Sequence, residues 1–122
     1  MPNELPVAIV QMNSQDDMAA NVSAAIAGIE RAAAEGARLV SLPEVWTSLG
    51  PDEGNTAAAE TIPGSLTDQL GALARELDIW LHAGSIYERV EGEERLYNTT
   101  VVFDPRGEIV ATYRKIHMFD GD

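Results

Sequence analysis

Two side chains in this 122-residue sequence carry opposite charges at positions suited to chemistry: Glu44 and Lys115. Glu44 follows Leu42-Pro43, at the carboxyl end of an apolar run that reads as a parallel strand. Open α/β sheets bind ligands at that edge. Lys115 ends the run Glu108–Lys115, and His117 follows two residues later, where it can share a face with the lysine. A carboxylate can take a proton, and an ammonium can stabilise developing negative charge. By position alone each is more often a solvated charge, and a lysine at a strand end often guards a sheet edge. His117 reads better as a hydrogen-bonded structural histidine than as a ligand. Trp46, just past Glu44, is either core or the wall of a substrate pocket, and it stands as a substrate-binding candidate. Trp80, inside a strand, reads as core.

Composition removes several other chemistries. There is no cysteine, so no disulfide, thiolate metal site or thiol nucleophile can come from these residues. Two histidines without HExxH spacing make no convincing zinc site. Net charge is −12, from 8 Lys+Arg against 20 Asp+Glu. Phosphate backbones and anionic membrane surfaces attract clustered cations, and here the arginines are scattered. Nucleic acid and membrane partners are therefore not expected. No apolar run approaches the roughly 20 residues of a spanning helix. MPNELPVAIV lacks the basic start and cleavage site of a signal peptide, which leaves a cytoplasmic protein as the expectation. GxGxxG and GxxxxGK[ST] nucleotide loops are absent.

The elements that must position Glu44 and Lys115 follow from periodicity. Leu5–Met12 (LPVAIVQM) is a β-branched apolar run and reads as a strand. A helix is predicted from about Asp17 to Glu35, with Val22, Ile26, Ile29 and Ala33 as one stripe and Gly36 past its end. Arg38–Leu42 reads as a second strand, and Val45–Gly64 as mostly loop, long enough to suggest a functional segment. Ser65 can cap a second helix, with Asp68 completing a loose capping box and Leu66, Leu70, Leu73 and Leu77 as its stripe. Strands follow at Ile79–Tyr87, Leu96–Phe103 and Glu108–Lys115, joined by the charged turn ERVEGEER and the β-turn DPRG. The order β-α-β-α-β-β-β implies an α/β fold with parallel pairing first and an antiparallel meander after it.

The strands are apolar on both sides. Val7 and Ile9 oppose Ala8, Val10 and Met12; Leu39 opposes Val40 and Leu42; Val102 opposes Val101 and Phe103. Both faces of the sheet therefore expect cover. Two helices suffice for one face, and nothing in the sequence clearly covers the other.

Three segments together resemble the nitrilase (carbon–nitrogen hydrolase) superfamily. VAIVQMNSQDDMAANV is similar to its first strand and helix, and ARLVSLPEVW to the stretch that bears its catalytic glutamate. GSIYER with LYNTTVVFDPRGEIVATYRKIHMFD is similar to the run leading into its catalytic lysine. YRKIHMFD especially resembles the amidase branch containing the omega-amidases and deaminated-glutathione amidases. The resemblance implies part of an αββα sandwich, usually a homo-oligomer, with residues 1–122 forming the first portion of one domain. It also implies a Glu–Lys–Cys site acting on a small-molecule amide, with no metal or organic cofactor required. Glu44 would be the general base and Lys115 would stabilise the oxyanion, while the cysteine falls beyond the lysine and outside these residues. The expected enzyme is an amidase that releases ammonia, with the 122-residue chain inactive alone. The alternative is a non-catalytic half-domain completed by a partner chain. A remoter one is a phospho-receiver built on Asp16-Asp17, for which helix capping is the simpler account.

Overall fold

The computed structural model describes residues 4–50 and 56–115, so His117 lies outside the described residues. The elements are β1 (Val7–Ile9), α1 (Met18–Ala34), β2 (Leu39–Ser41), α2 (Ser65–Leu77), β3 (Trp80–Arg89), β4 (Leu96–Phe103) and β5 (Ile109–Arg114). They form one five-stranded sheet whose spatial order follows the chain, β1-β2-β3-β4-β5. The first three strands are parallel, and the last three form an antiparallel meander. This is the expected α/β order.

Register separates the two faces. Ala8, Val40, Leu81, Phe103 and Ile109 lie in one row across the sheet. They pack with Ala25 and Ile29 of α1 and with Leu66, Leu70 and Leu73 of α2 to form the core. The next row, Ile9, Ser41, His82, Val102 and Ala111, faces the other way. Among the described residues no helix covers that side, and Ile9 is 76% exposed, with Val7, Trp80 and Tyr113 also open. The sheet thus has helices on one face and a bare apolar second face, as a partial αββα sandwich requires. Trp80 corrects the expectation that it belongs to the core. It pairs with Leu39 on the bare face and stays 41% exposed.

Helix ends explain the element bounds. Asp17 caps α1, its Oδ1 accepting from the Ala20 N–H at 3.1 Å, which is the simple account of this acidic pair. Gly36, at φ +101°, closes the helix: its N–H donates to Ala33 O, and that of Ala37 to Ala32 O. The buried stripe is Asn21, Ala25, Ile29 and Ala32, with Val22, Ile26 and Ala33 at its margin. The start of α2 departs from the expected Ser65 cap. Gly64 is the capping residue, bridged by Thr67 Oγ1, and the Glu60 carboxylate accepts from the Leu66 N–H at 2.8 Å. A carboxylate reaching in from the preceding loop does the work assigned to Ser65.

Candidate active site

Glu44 leaves the carboxyl end of β2 in a tight turn, and the neighbouring strand is shaped to receive it. Between His82 and Ser85 the β3–β4 register shifts. Gly84 sits in that irregularity at φ +61°, and a Cβ there would lie 1.9 Å from Pro43 O. Only glycine allows the backbone of Pro43 to approach so closely. Ser85 then fixes the turn, its Oγ accepting from the Val45 N–H at 3.0 Å. Val45 has φ +42°, a conformation a β-branched residue rarely adopts. Such strain persists where surroundings over-determine it, and it concentrates at functional sites.

The following residues anchor the turn. Trp46 is 1% exposed, and its Nε1–H donates to Ala83 O at 2.8 Å. This resolves the two readings of Trp46: it belongs to the core and corrects the expectation of a substrate-binding wall. From the other side, Ser14 Oγ donates to Trp46 O at 2.7 Å. Buried Asn21 donates to Thr47 O at 2.9 Å and Gln15 O at 2.8 Å, and it accepts from the Gln15 N–H. The β1–α1 connection is thereby tied to the Glu44 turn.

Lys115 arrives from the end of β5, where its N–H donates to Asn98 O at 2.9 Å. Its Nζ lies 3.1 Å from Glu44 Oε2, and Asn98 Nδ2 donates to the same oxygen at 2.8 Å. The two residues picked out by the sequence therefore meet. Their pairing with Lys115 first, and Asn98 second, holds the Glu44 carboxyl below the usual carboxylate range against a small opposing effect of burial. Both side chains are substantially exposed, and exposed ion pairs contribute about 0–1 kcal/mol. Stability gives little reason for the pair.

Glu44 and Lys115 border a pocket of about 250 Å³ on the bare face of the sheet. Asn98, Thr100, Tyr113 and His82 line it as well. His82 Nδ1 is 2.8 Å from Ser41 Oγ in the pocket floor. Sequence reasoning missed Asn98, His82 and Gly84. Strand alternation was the available signal for Asn98, since Asn98, Thr100 and Val102 share a face. Among the described residues no three His, Asp or Glu side chains are grouped as metal ligands, and no helix is long and apolar enough to cross a membrane.

Comparison with known proteins gives the family. Residues 6–122 match the family model described as carbon-nitrogen hydrolase. Omega-amidase NIT2 of Homo sapiens is 42% identical over 116 residues, covering 95% of this chain and 41% of that protein. The chloroplastic omega-amidase of Arabidopsis thaliana is 40% identical over 121 residues, covering 95% of this chain and 32% of that protein. Among solved structures, Saccharomyces cerevisiae Nit3, of the nitrilase superfamily, superposes with a TM-score of 0.82 at 31% identity, over 93% of this chain and 44% of that one. The chain therefore spans less than half the length of these relatives. By the family match across nearly all its residues, the chain belongs to the carbon–nitrogen hydrolase family.

Proposed function

We propose that this chain supplies the glutamate and lysine of an amide-hydrolysing site whose nucleophile, a cysteine, comes from outside residues 1–122. The observation that carries the reading is the Glu44–Lys115 contact of 3.1 Å at a strand-end pocket. Glu44 is the general base. Paired with Lys115 and Asn98 it is ionised at neutral pH, the form that accepts a proton. It takes the thiol proton, and the thiolate attacks the amide carbon. Lys115 turns from Glu44 to the oxyanion of the tetrahedral intermediate. That movement weakens the hold on the Glu44 carboxylate and raises its basicity when a proton must be taken. Collapse of the intermediate, with Glu44 passing that proton to the departing nitrogen, expels ammonia and leaves a thioester; Glu44, again ionised, takes a proton from water, and the hydroxide hydrolyses the thioester to the acid and the free thiol. The substrate is a small amide, a class supported by the names of the omega-amidase relatives. The reading includes a cytoplasmic setting and association through the bare sheet face. That face also supports a second form of the proposal, in which a separate chain supplies the cysteine half.

The test is ammonia release from a small ω-amide. The 122-residue chain alone is expected to release none above Glu44→Ala and Lys115→Ala controls, and release above them would overturn the need for a cysteine. Once a cysteine-bearing second half is supplied, activity should appear. Glu44→Ala should then abolish it, and Lys115→Ala should lower kcat by roughly 10²–10³. Full activity in Glu44→Ala would remove the proposed base.

A further inference from the structure

On the helix-covered face, directly behind the candidate site, lies a second ion pair. Glu88 is 5% exposed, yet its carboxylate is ionised and fully engaged. Arg114 donates to it through Nε at 2.8 Å and Nη2 at 2.9 Å, and Thr99 Oγ1 donates at 2.7 Å. The Arg114 guanidinium also lies 4.7 Å from the centre of the Tyr97 ring. A planar fork on a carboxylate fixes direction as well as distance.

Arg114 is the residue before Lys115, and the strand opposite alternates in the same way. Tyr97 and Thr99 of β4 point to the Glu88 side, and Asn98 between them points to the Glu44 side. Successive side chains of a strand face opposite ways. The last residue of β5 and the one that follows it therefore carry both ion pairs, Arg114 with Glu88 behind the sheet and Lys115 with Glu44 in front. Lys115 lies one position past the end of β5. A flexible lysine at a strand end has many alternatives to a single productive position. The two-pronged contact of Arg114 with buried Glu88 is the adjoining anchor on its own strand.

We infer that Glu88 and Arg114 are positioning residues, a clamp on the covered face that holds the end of β5 so that the Lys115 ammonium stays on Glu44. The inference rests on the roles proposed above for Glu44 and Lys115. Glu88 and Arg114 touch neither the pocket's reacting groups nor each other's counterparts across the sheet, so their effect passes through the backbone of β5.

The readout is the titration of the Glu44 carboxyl, followed by NMR in the 122-residue chain with carbon-13-labelled glutamate. The Trp46 indole N–H, bonded to Ala83, reports in the same samples that the fold persists. Lys115→Met should raise the Glu44 midpoint by removing its partner. The clamp predicts that Glu88→Gln and Arg114→Lys raise it too, because Lys115 is released. Electrostatics without a clamp predicts a different sign. Glu88→Gln deletes a neighbouring negative charge and would lower the Glu44 midpoint, and Arg114→Lys keeps its charge and would leave the midpoint unmoved. A rise in both variants with the Trp46 signal intact is the expected result. A rise only in Lys115→Met overturns the clamp and leaves the Glu44–Lys115 pair standing. No change in Lys115→Met overturns the pair itself. Should Glu88→Gln lose the Trp46 signal, Arg114→Lys, which retains a cation for Glu88, decides the question.

Discussion

At position 84 a single methyl group would collide with the Pro43 carbonyl, and the turn that presents Glu44 would have to move. Gly84→Ala should cost about 1–3 kcal/mol through its positive φ alone, and more through the clash. Chemical denaturation would measure the loss, and an unchanged midpoint would mean the turn relaxes freely. Asn21→Ala should cost about 1–3 kcal/mol, because the Thr47 and Gln15 carbonyls lose their donor inside the protein. The contrast between these residues and Glu44 shows what single positions disclose. Position alone left Glu44 and Lys115 as solvated charges; the resemblance carried by ARLVSLPEVW and YRKIHMFD singled them out. Asn21 and Asn98 were not legible, since their partners are far along the chain and are fixed only by packing. Of the two tryptophans, Trp80 was misjudged: size suggests burial, but it belongs to the sheet face without a covering layer. Trp46, for which core and pocket wall were both open, follows a turn that folds it inward.

The elements add constraints that no residue carries alone. β3, β4 and β5 meet at Glu88, whose carboxyl titrates below its usual range because Arg114, and then Thr99, donate to it more strongly than burial opposes. A depressed folded pKa stabilises the fold above the ordinary carboxylate value of about 4.3. That contribution is lost as pH falls from there through the folded value. Thermal midpoints measured from neutral pH into acid should therefore fall more steeply for the wild type than for Glu88→Gln, and parallel curves would count against the linkage. Element order and pairing type could be read from the alternation of periodicities. Bounds were less legible: β1 and β2 are three residues each, shorter than their apolar runs, because pairing stops where the chain turns into the Ser14 and Glu44 connections. The Glu60 cap of α2 was hidden as well, since it reaches the helix from the loop before it.

For the molecule as a whole, the bare sheet face sets the behaviour in solution. Leu5, Val7, Ile9, Trp80 and Tyr113 remain open, an apolar surface of the kind that drives association. A net charge of −12 opposes it. The face should prevail at moderate salt, where charge is screened. Size-exclusion with light scattering should then find oligomers that Ile9→Lys shifts toward monomer. A 13.1 kDa monomer at every salt concentration would contradict this. The need for a second layer was legible in strands apolar on both sides, whereas its nature, a second sheet, came only from the family resemblance. Strand order has a different bearing, on assembly in time. Since β1 to β5 lie side by side in the order in which they are synthesised, each strand can join the free edge left by its predecessor. None has to be threaded between two already paired. The Glu44 turn, strapped by Ser14, Asn21 and Ser85, can be complete while β5 is still emerging. On such a path Glu44 is in place first, and Lys115 reaches it when β5, the last of these five strands, docks.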